Sequence, residues 1–413
     1  MRQKSHSEDD KIRSIKFNDY VAFVRGVKAA NNELFKAFLQ RSTNGIEWLK
    51  WVDVILSSSL NITLAVFFLC WLAGCKKDKP DEHTLPNLAP GNIFVVCEGA
   101  YGRGNATLYS IPPARDTAYG DVFKSANPQS LGLGDVFQSM KKIGDKLFLC
   151  INSSDKIVVL NASDLKQTGD IQIPKPRYIL PVSPTKAYVS SLYSNNVYII
   201  NTQTMQLTDS IILPYENTEG MCLYNGTAFI TTWDTASDLI YKIDITTDKV
   251  IQPVKISGYA AQSVLIDKEQ MLWVLAGNKT KGKAATLTRL DPFTGDVLTT
   301  YYFPKDADPL KPVFNNAKDT IYFIEVNYNG EPANNGIYRM GIHDANLPTQ
   351  AFVTPGQYQY YWGLGIDPSN GNIYIGDPLG FNQKGRVMIY RQDGVLIRSF
   401  ITGEGPGSFY FGE

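Results

Sequence analysis

The chain has 413 residues and carries 40 basic side chains against 40 acidic ones. With 44% hydrophobic and 19% charged residues it can bury a core, which excludes a disordered chain. The balanced charge argues against a nucleic-acid binder, which shows a basic excess or stripe. The three histidines, His6, His83 and His343, lie too far apart for a His-built metal site or a hydrolytic triad.

Residues 1–50 come first, with apolar positions from Asn18 to Arg41 in a loosely helical spacing. They are read as an extension outside the fold, most simply a start assigned too far upstream. No Met lies between Met1 and Met140, so such a start would use a non-AUG codon near Val52 to Leu56. Residues 51–74 read as a lipoprotein signal peptide. The run from Leu60 to Ala73 has the length of a signal-peptide apolar region and is short for a membrane span. It ends in Leu72-Ala73-Gly74-Cys75, which resembles the bacterial lipobox, whose small residues admit signal peptidase II ahead of a diacylated cysteine. Cys75 is therefore the expected lipidation site, and residues 75–90 the lipidated tether. The competing account is a short membrane segment carrying the motif by chance. Each acyl CH₂ buried in the membrane contributes ~0.8 kcal/mol. Lys76 stands where the common inner-membrane retention signal has Asp, so the expected address is the outer membrane, with the protein lipid-anchored and exposed at the cell surface. The first 74 residues hold 10 basic and 7 acidic side chains, leaving 30 against 33.

From residue 91 to 413 short β-rich runs alternate with turn clusters, and a unit recurs. Second strands match at Lys186–Ser190, Thr320–Ile324 and Asn372–Gly376. Third strands match at Val197–Asn201, Ile240–Asp244, Thr288–Asp291 and Val387–Tyr390. First strands centre on Ser139, Tyr178, Met221, Val264, Val313, Leu364 and Phe409, a period of ~40–50 residues that suits four-stranded propeller blades. Asn92–Val96, Thr107–Ser110 and Asp121–Phe123 supply strands two to four of a blade lacking its first strand, and Gly407–Phe411 supplies a first strand without successors. Pairing them gives an all-β, seven-bladed β-propeller closed by its C-terminal strand; rings of six or eight are the competing counts. Cys97, Cys150 and Cys222 fall in or beside strands. A Cys97–Cys150 bridge between neighbouring blades competes with a reading of all three as small buried hydrophobes, and the odd number favours the latter.

The two faces of such a ring differ in composition. One set of turns is tight, with aromatic rings only from Tyr224 and Phe293. The other loops are longer and hold thirteen aromatics, including Tyr101, Tyr178, Tyr193, Trp233, Tyr328, Tyr358 and Trp362, among polar residues such as Glu98, Gln138, Arg177, Glu219, Gln262 and Asp377. Binding surfaces favour that mixture. The expected ligand contacts are Arg177, Tyr178, Tyr193, Trp233, Tyr328, Trp362 and Asp377. No catalytic residues, cofactor or metal site are expected: neither H-E-x-x-H nor G-x-S-x-G occurs, and the glycine-rich Gly99–Gly104 lies between two strands rather than before a helix.

Several motifs carry a family resemblance: Glu98-Gly99, Leu133-Gly134-Asp135 with Gln138-Ser139-Met140, Pro176-Arg177-Tyr178, Glu219-Gly220-Met221, Tyr361–Pro368, and Thr402-Gly403 through Phe409. Over residues 91–411 the chain resembles the YncE-like (YVTN-type) propellers, in the surface lipoprotein branch that includes the cobalamin-binding partner of outer-membrane vitamin B12 transporters. The resemblance implies a cell-surface binder that hands a small polar solute, such as a corrinoid, to a TonB-dependent transporter. The competing functions are a protein-interaction scaffold of an envelope complex and a lactonase- or lyase-like propeller enzyme working through carboxylates and a metal.

Overall fold

The computed structural model describes residues 91–112 and 117–412. The extension 1–50, the signal segment 51–74 and the tether with Cys75 lie outside the described residues. The described chain opens with β1 (Ile93–Cys97) and β2 (Thr107–Ile111). Blade 1 is β3 (Phe137–Ile143), β4 (Lys146–Ile151), β5 (Lys156–Asn161) and β6 (Gln167–Gln172). Blade 2 is β7 (Pro176–Pro181), β8 (Lys186–Ser191), β9 (Asn196–Asn201) and β10 (Gln206–Ile212). Blade 3 is β11 (Thr218–Tyr224), β12 (Thr227–Thr232), β13 (Leu239–Asp244) and β14 (Lys249–Lys255). Blade 4 is β15 (Ala261–Ile266), β16 (Leu272–Asn278), β17 (Lys283–Leu290) and β18 (Val297–Tyr302). Blade 5 has three strands, β19 (Pro309–Phe314), β20 (Thr320–Glu325) and β21 (Gly336–Gly341). Blade 6 is β22 (Gly363–Ile366), β23 (Ile373–Asp377), β24 (Arg386–Tyr390) and β25 (Leu396–Ile401). Finally β26 (Pro406–Phe411) pairs antiparallel with β1, so that β26, β1 and β2 make blade 7. The ring of seven closes as the repeat predicts, and every first-strand centre falls inside an innermost strand.

The second strands explain why the ring holds. Successive residues of a strand point to opposite faces, and here both faces are covered by neighbouring blades. In β4, Leu147 and Leu149 pack towards blade 7 while Phe148 and Cys150 pack towards blade 2. The same division recurs in β20, where Ile321 and Phe323 face blade 4 while Tyr322 and Ile324 face blade 6. Seven apolar clusters result, one per blade junction. Each large side chain so buried stabilises the fold by ~1.5–3 kcal/mol. The period-2 pattern is therefore invisible in these runs, which read as continuous apolar stretches.

Two blades depart from four strands. Asp121–Phe123, predicted as the fourth strand of blade 7, instead starts a short helix, α1 (Val122–Ala126). Asp121 caps it, its carboxylate accepting from the Lys124 N–H at 3.1 Å. The helix turns Val122 and Phe123 into the junction with blade 1, which an extended strand could not do with both neighbours. What remains of a fourth strand is one bridge, Ser110 to Tyr119. In blade 5 a single bridge, Ile337 to Val353, takes the same place. Cys97, Cys150 and Cys222 are free thiols. Burial pushes each of them up to about 12, and no Cys97–Cys150 bridge is formed.

Candidate functional site

Chain direction puts the β1–β2 loop, the other second-to-third-strand loops and the blade-to-blade loops on one face. On that face the innermost strands lose register against their neighbours. Ladder pairing shifts between Phe137 and Ser139, Pro176 and Ile179, Thr218 and Met221, Ala261 and Ser263, and Leu310 and Val313. A bulge bends the strand and re-aims a side chain. The residues released here include Gln138, Arg177, Glu219, Gln262 and Lys311, one from each of blades 1 to 5. Blade 6 adds Trp362, immediately before β22, and blade 7 adds Glu98, immediately after β1. Gln138, Gln262 and Lys311 line a central cavity of about 360 Å³, and Arg177, Glu219, Glu98 and Trp362 join them through hydrogen bonds.

These hub groups answer one another. The Arg177 guanidinium donates from Nε to Glu219 Oε2 at 2.8 Å, from Nη2 to Glu219 Oε1, and from Nη1 to Gln138 Oε1. Across the mouth, Lys311 Nζ donates to Glu98 Oε1 at 3.2 Å and to the Gly407 carbonyl at 2.7 Å, and lies 4.7 Å from the centre of the Trp362 ring. The Trp362 indole N–H donates to the same Glu98 oxygen at 2.9 Å. Two cations thus meet two carboxylates. Burial opposes the Arg177 charge, but Glu219 more than offsets it and makes the guanidinium harder to deprotonate. Burial lowers the Lys311 ammonium below its ordinary value, with Glu98 resisting. Burial also pushes the Tyr178 phenol up to about 12, Glu219 adding to it.

Outside the hub lies a rim of rings. Among the described residues, exposed aromatic side chains on this face are Tyr101, Tyr193, Tyr259, Tyr328 and Tyr358, the first 84% and Tyr358 75% exposed. The opposite face exposes Phe293, and the outer strand β18 exposes Tyr302. The asymmetry predicted from loop composition is present.

The seven expected contacts do not form one cluster. Arg177, Tyr178 and Trp362 meet at the hub. Tyr193 stands free on the blade 2 loop, and Tyr328 packs edge-on against Tyr360 with centroids 5.4 Å apart. Trp233 is half-buried, its indole N–H donating to the Gly277 carbonyl at 2.9 Å, which ties blade 3 to blade 4. Asp377 is 1% exposed; it accepts from the Leu379 N–H at 3.0 Å and from Arg386 at 2.9 Å. Two groups escaped sequence reasoning. Lys311 occupies the same register two residues before its strand centre as Glu219 and Gln262, so a stricter alignment of the repeats finds it. Glu325, at the end of β20, is 5% exposed and has no hydrogen-bond or ion-pair partner among the described residues. Burial pushes its carboxyl up to about 7, Asp306 adding and Lys279 opposing.

Among the described residues no helix is long and apolar enough to cross a membrane. No curated protein matches the sequence. Solved structures do match, at identities that speak for the fold alone. A quinonprotein alcohol dehydrogenase-like protein from Bacteroides thetaiotaomicron shares 13% identity at a TM-score of 0.62, covering 79% of each chain. The periplasmic gluconolactonase of Pseudomonas aeruginosa shares 11% at 0.57, covering 79% of this chain and 99% of that one. A functionally unknown protein from Desulfotomaculum acetoxidans shares 10% at 0.57, covering 78% and 99%. One family spans most of the propeller: over residues 91–400 the chain belongs to the domain family of unknown function designated DUF5074.

Proposed function

We propose that this protein is a lipid-anchored binding protein of the outer membrane, exposed at the cell surface through Cys75. It captures a bulky polar solute, a corrinoid being the first candidate, and passes it to a TonB-dependent transporter. The observation that carries this reading is the gathering of exposed tyrosines on one rim around a polar, charge-balanced hub. Tyrosine offers a rigid apolar body with a polar tip, so it contributes contact area at low ordering cost. The hub residues supply hydrogen-bonding edges at the centre, while their mutual pairing keeps them fixed.

Calorimetric titration with cobalamin, haem and oligosaccharides tests the reading. Removing Tyr193 and Tyr328 together costs ~2 kcal/mol per anchor where each is central to the contact, or about thirtyfold in Kd apiece. Unaltered affinity in the double alanine variant would take the rim out of the account. Acylation of Cys75 is checked by intact mass, and the transporter by recovery from detergent-solubilised membranes.

A further inference from the structure

Two loops of the aromatic face meet beside blade 5. The first joins β20 to β21, and the second is the end of the connection from β21 to β22. They touch where Gly330 meets Tyr358: a Cβ on Gly330 would lie 2.3 Å from the Tyr358 Cα. Gly330 has φ 71° and Tyr358 φ 61°, a conformation that only glycine adopts without strain. Between the loops lies a cavity of about 300 Å³. Asn335 lines it and is itself 1% exposed. The Asn335 Nδ2 donates to the Glu331 carbonyl at 3.1 Å and to the Gln359 carbonyl at 2.8 Å. Both amide hydrogens are thus spent on tying the two loops together. Turning the amide over would set its oxygen against two carbonyl oxygens, so the orientation is fixed. Among the described residues, Oδ1 is left buried with no hydrogen-bond partner.

A buried acceptor without a donor is costly, and the cavity that Asn335 lines is the way a donor reaches it. The rest of the lining narrows what that donor belongs to. Among the described residues no Lys or Arg lines the cavity, which disfavours an anion. Pro332, Pro355 and Tyr358 bring apolar ring faces, with Tyr358 itself 75% exposed. Glu331, Thr354 and Gln357 bring polar side chains, the first an acceptor and the other two both donors and acceptors. An ammonium would use the acceptors and leave the donors idle, whereas a hydroxyl serves both. A pyranose ring presents hydroxyls around its edge and C–H groups on its faces, and one ring suits a cavity at the small end of ligand pockets. We propose that this cavity binds one pyranose residue of a glycan. A sugar hydroxyl donates to Asn335 Oδ1, its neighbours meet Glu331, Thr354 and Gln357, and a face of the ring lies on Tyr358. The site goes beyond the bulky-solute reading and stands without it, since it uses neither Tyr193, Tyr328 nor the hub.

The methyl pyranosides of glucose, galactose, mannose and N-acetylglucosamine are the probes, each titrated into the full chain and followed by saturation-transfer NMR. The control is 2-methoxytetrahydropyran, which keeps the ring and lacks the hydroxyls. At least one glycoside is expected to bind saturably, about tenfold or more tighter than the control. Asn335→Ala removes the buried acceptor and weakens that binding about tenfold or more. Tyr358→Ala, at an exposed position, weakens it by a similar factor and decides the matter should the Asn335 variant fold poorly. The double variant Tyr193→Ala, Tyr328→Ala keeps wild-type affinity for the glycoside, which separates this site from capture of the bulky solute. Binding of every glycoside no tighter than the control, or wild-type affinity in both the Asn335 and Tyr358 variants, overturns the proposal whatever cobalamin does.

Discussion

The hub and the junction of blades 4 and 5 bury similar chemistry in opposite ways. At the hub, Glu219 and Glu98 each meet a cation, and their carboxylates also take hydrogen bonds from Arg177 and from the Trp362 indole. At the end of β20, beside that junction, Glu325 is as deeply buried and meets none. A buried charge is tolerated when a partner repays part of its desolvation. The paired set is thus a fixed part of the ring, whereas the unpaired one stores free energy that a proton can release.

Breaking the paired set gives the largest effect. Glu219→Gln leaves the Arg177 guanidinium buried without its counter-charge and lowers stability by about 3–5 kcal/mol, read from denaturant unfolding. Neutralising the unpaired set has the opposite sign. The Glu325 carboxyl lies at about 7 in the folded chain against 4.5 as its ordinary value. Its protonated form therefore contributes stability that is full below about pH 4.5 and is lost as pH rises through 7. Glu325→Gln consequently stabilises the protein at pH 8, by up to ~3 kcal/mol at ~1.4 kcal/mol per pH unit, and flattens the stability profile across that window. Unfolding curves collected from pH 4 to pH 8 check both the sign and the window. Trp362→Phe keeps the ring over Lys311 but removes one hydrogen bond to Glu98, at about 1.5–3 kcal/mol for a charged acceptor and towards the low end because Lys311 still pairs. Tyr193→Ala, at a largely exposed rim position, changes stability by less than ~0.5 kcal/mol while weakening solute binding, so paired melting and titration separate rim from hub.

Much of the fold was legible because it repeats. Met221 or Val264 alone means little, but the interval between such positions, together with an orphan first strand at Gly407–Phe411, fixes blade number and closure. Asp121–Phe123 misled because local composition fits a strand, while the choice of helix depends on the Asp121 cap and on the junction that Val122 and Phe123 fill. Half of the candidate site was readable for the same reason as the fold: Gln138, Arg177 and Glu219 sit at equivalent places in successive repeats. Trp233 and Asp377 looked like surface contacts because aromatic and acidic loop residues carry no mark of burial; their partners, the Gly277 carbonyl and Arg386, lie on other strands. Glu325 was silent for a stronger reason, since an unpaired state is a property of what surrounds a residue and has no signature in its own segment.

The join between β26 and β1 has a consequence for how the molecule forms. Val95 pairs with Phe409, so the innermost pairing of blade 7 waits for chain made at the far end of the domain. Such distant contacts fold slowly, and until they form, β1 presents an open edge able to recruit a strand from another molecule. During biogenesis the nascent protein therefore needs a companion, or rapid completion, to keep that edge from templating aggregates.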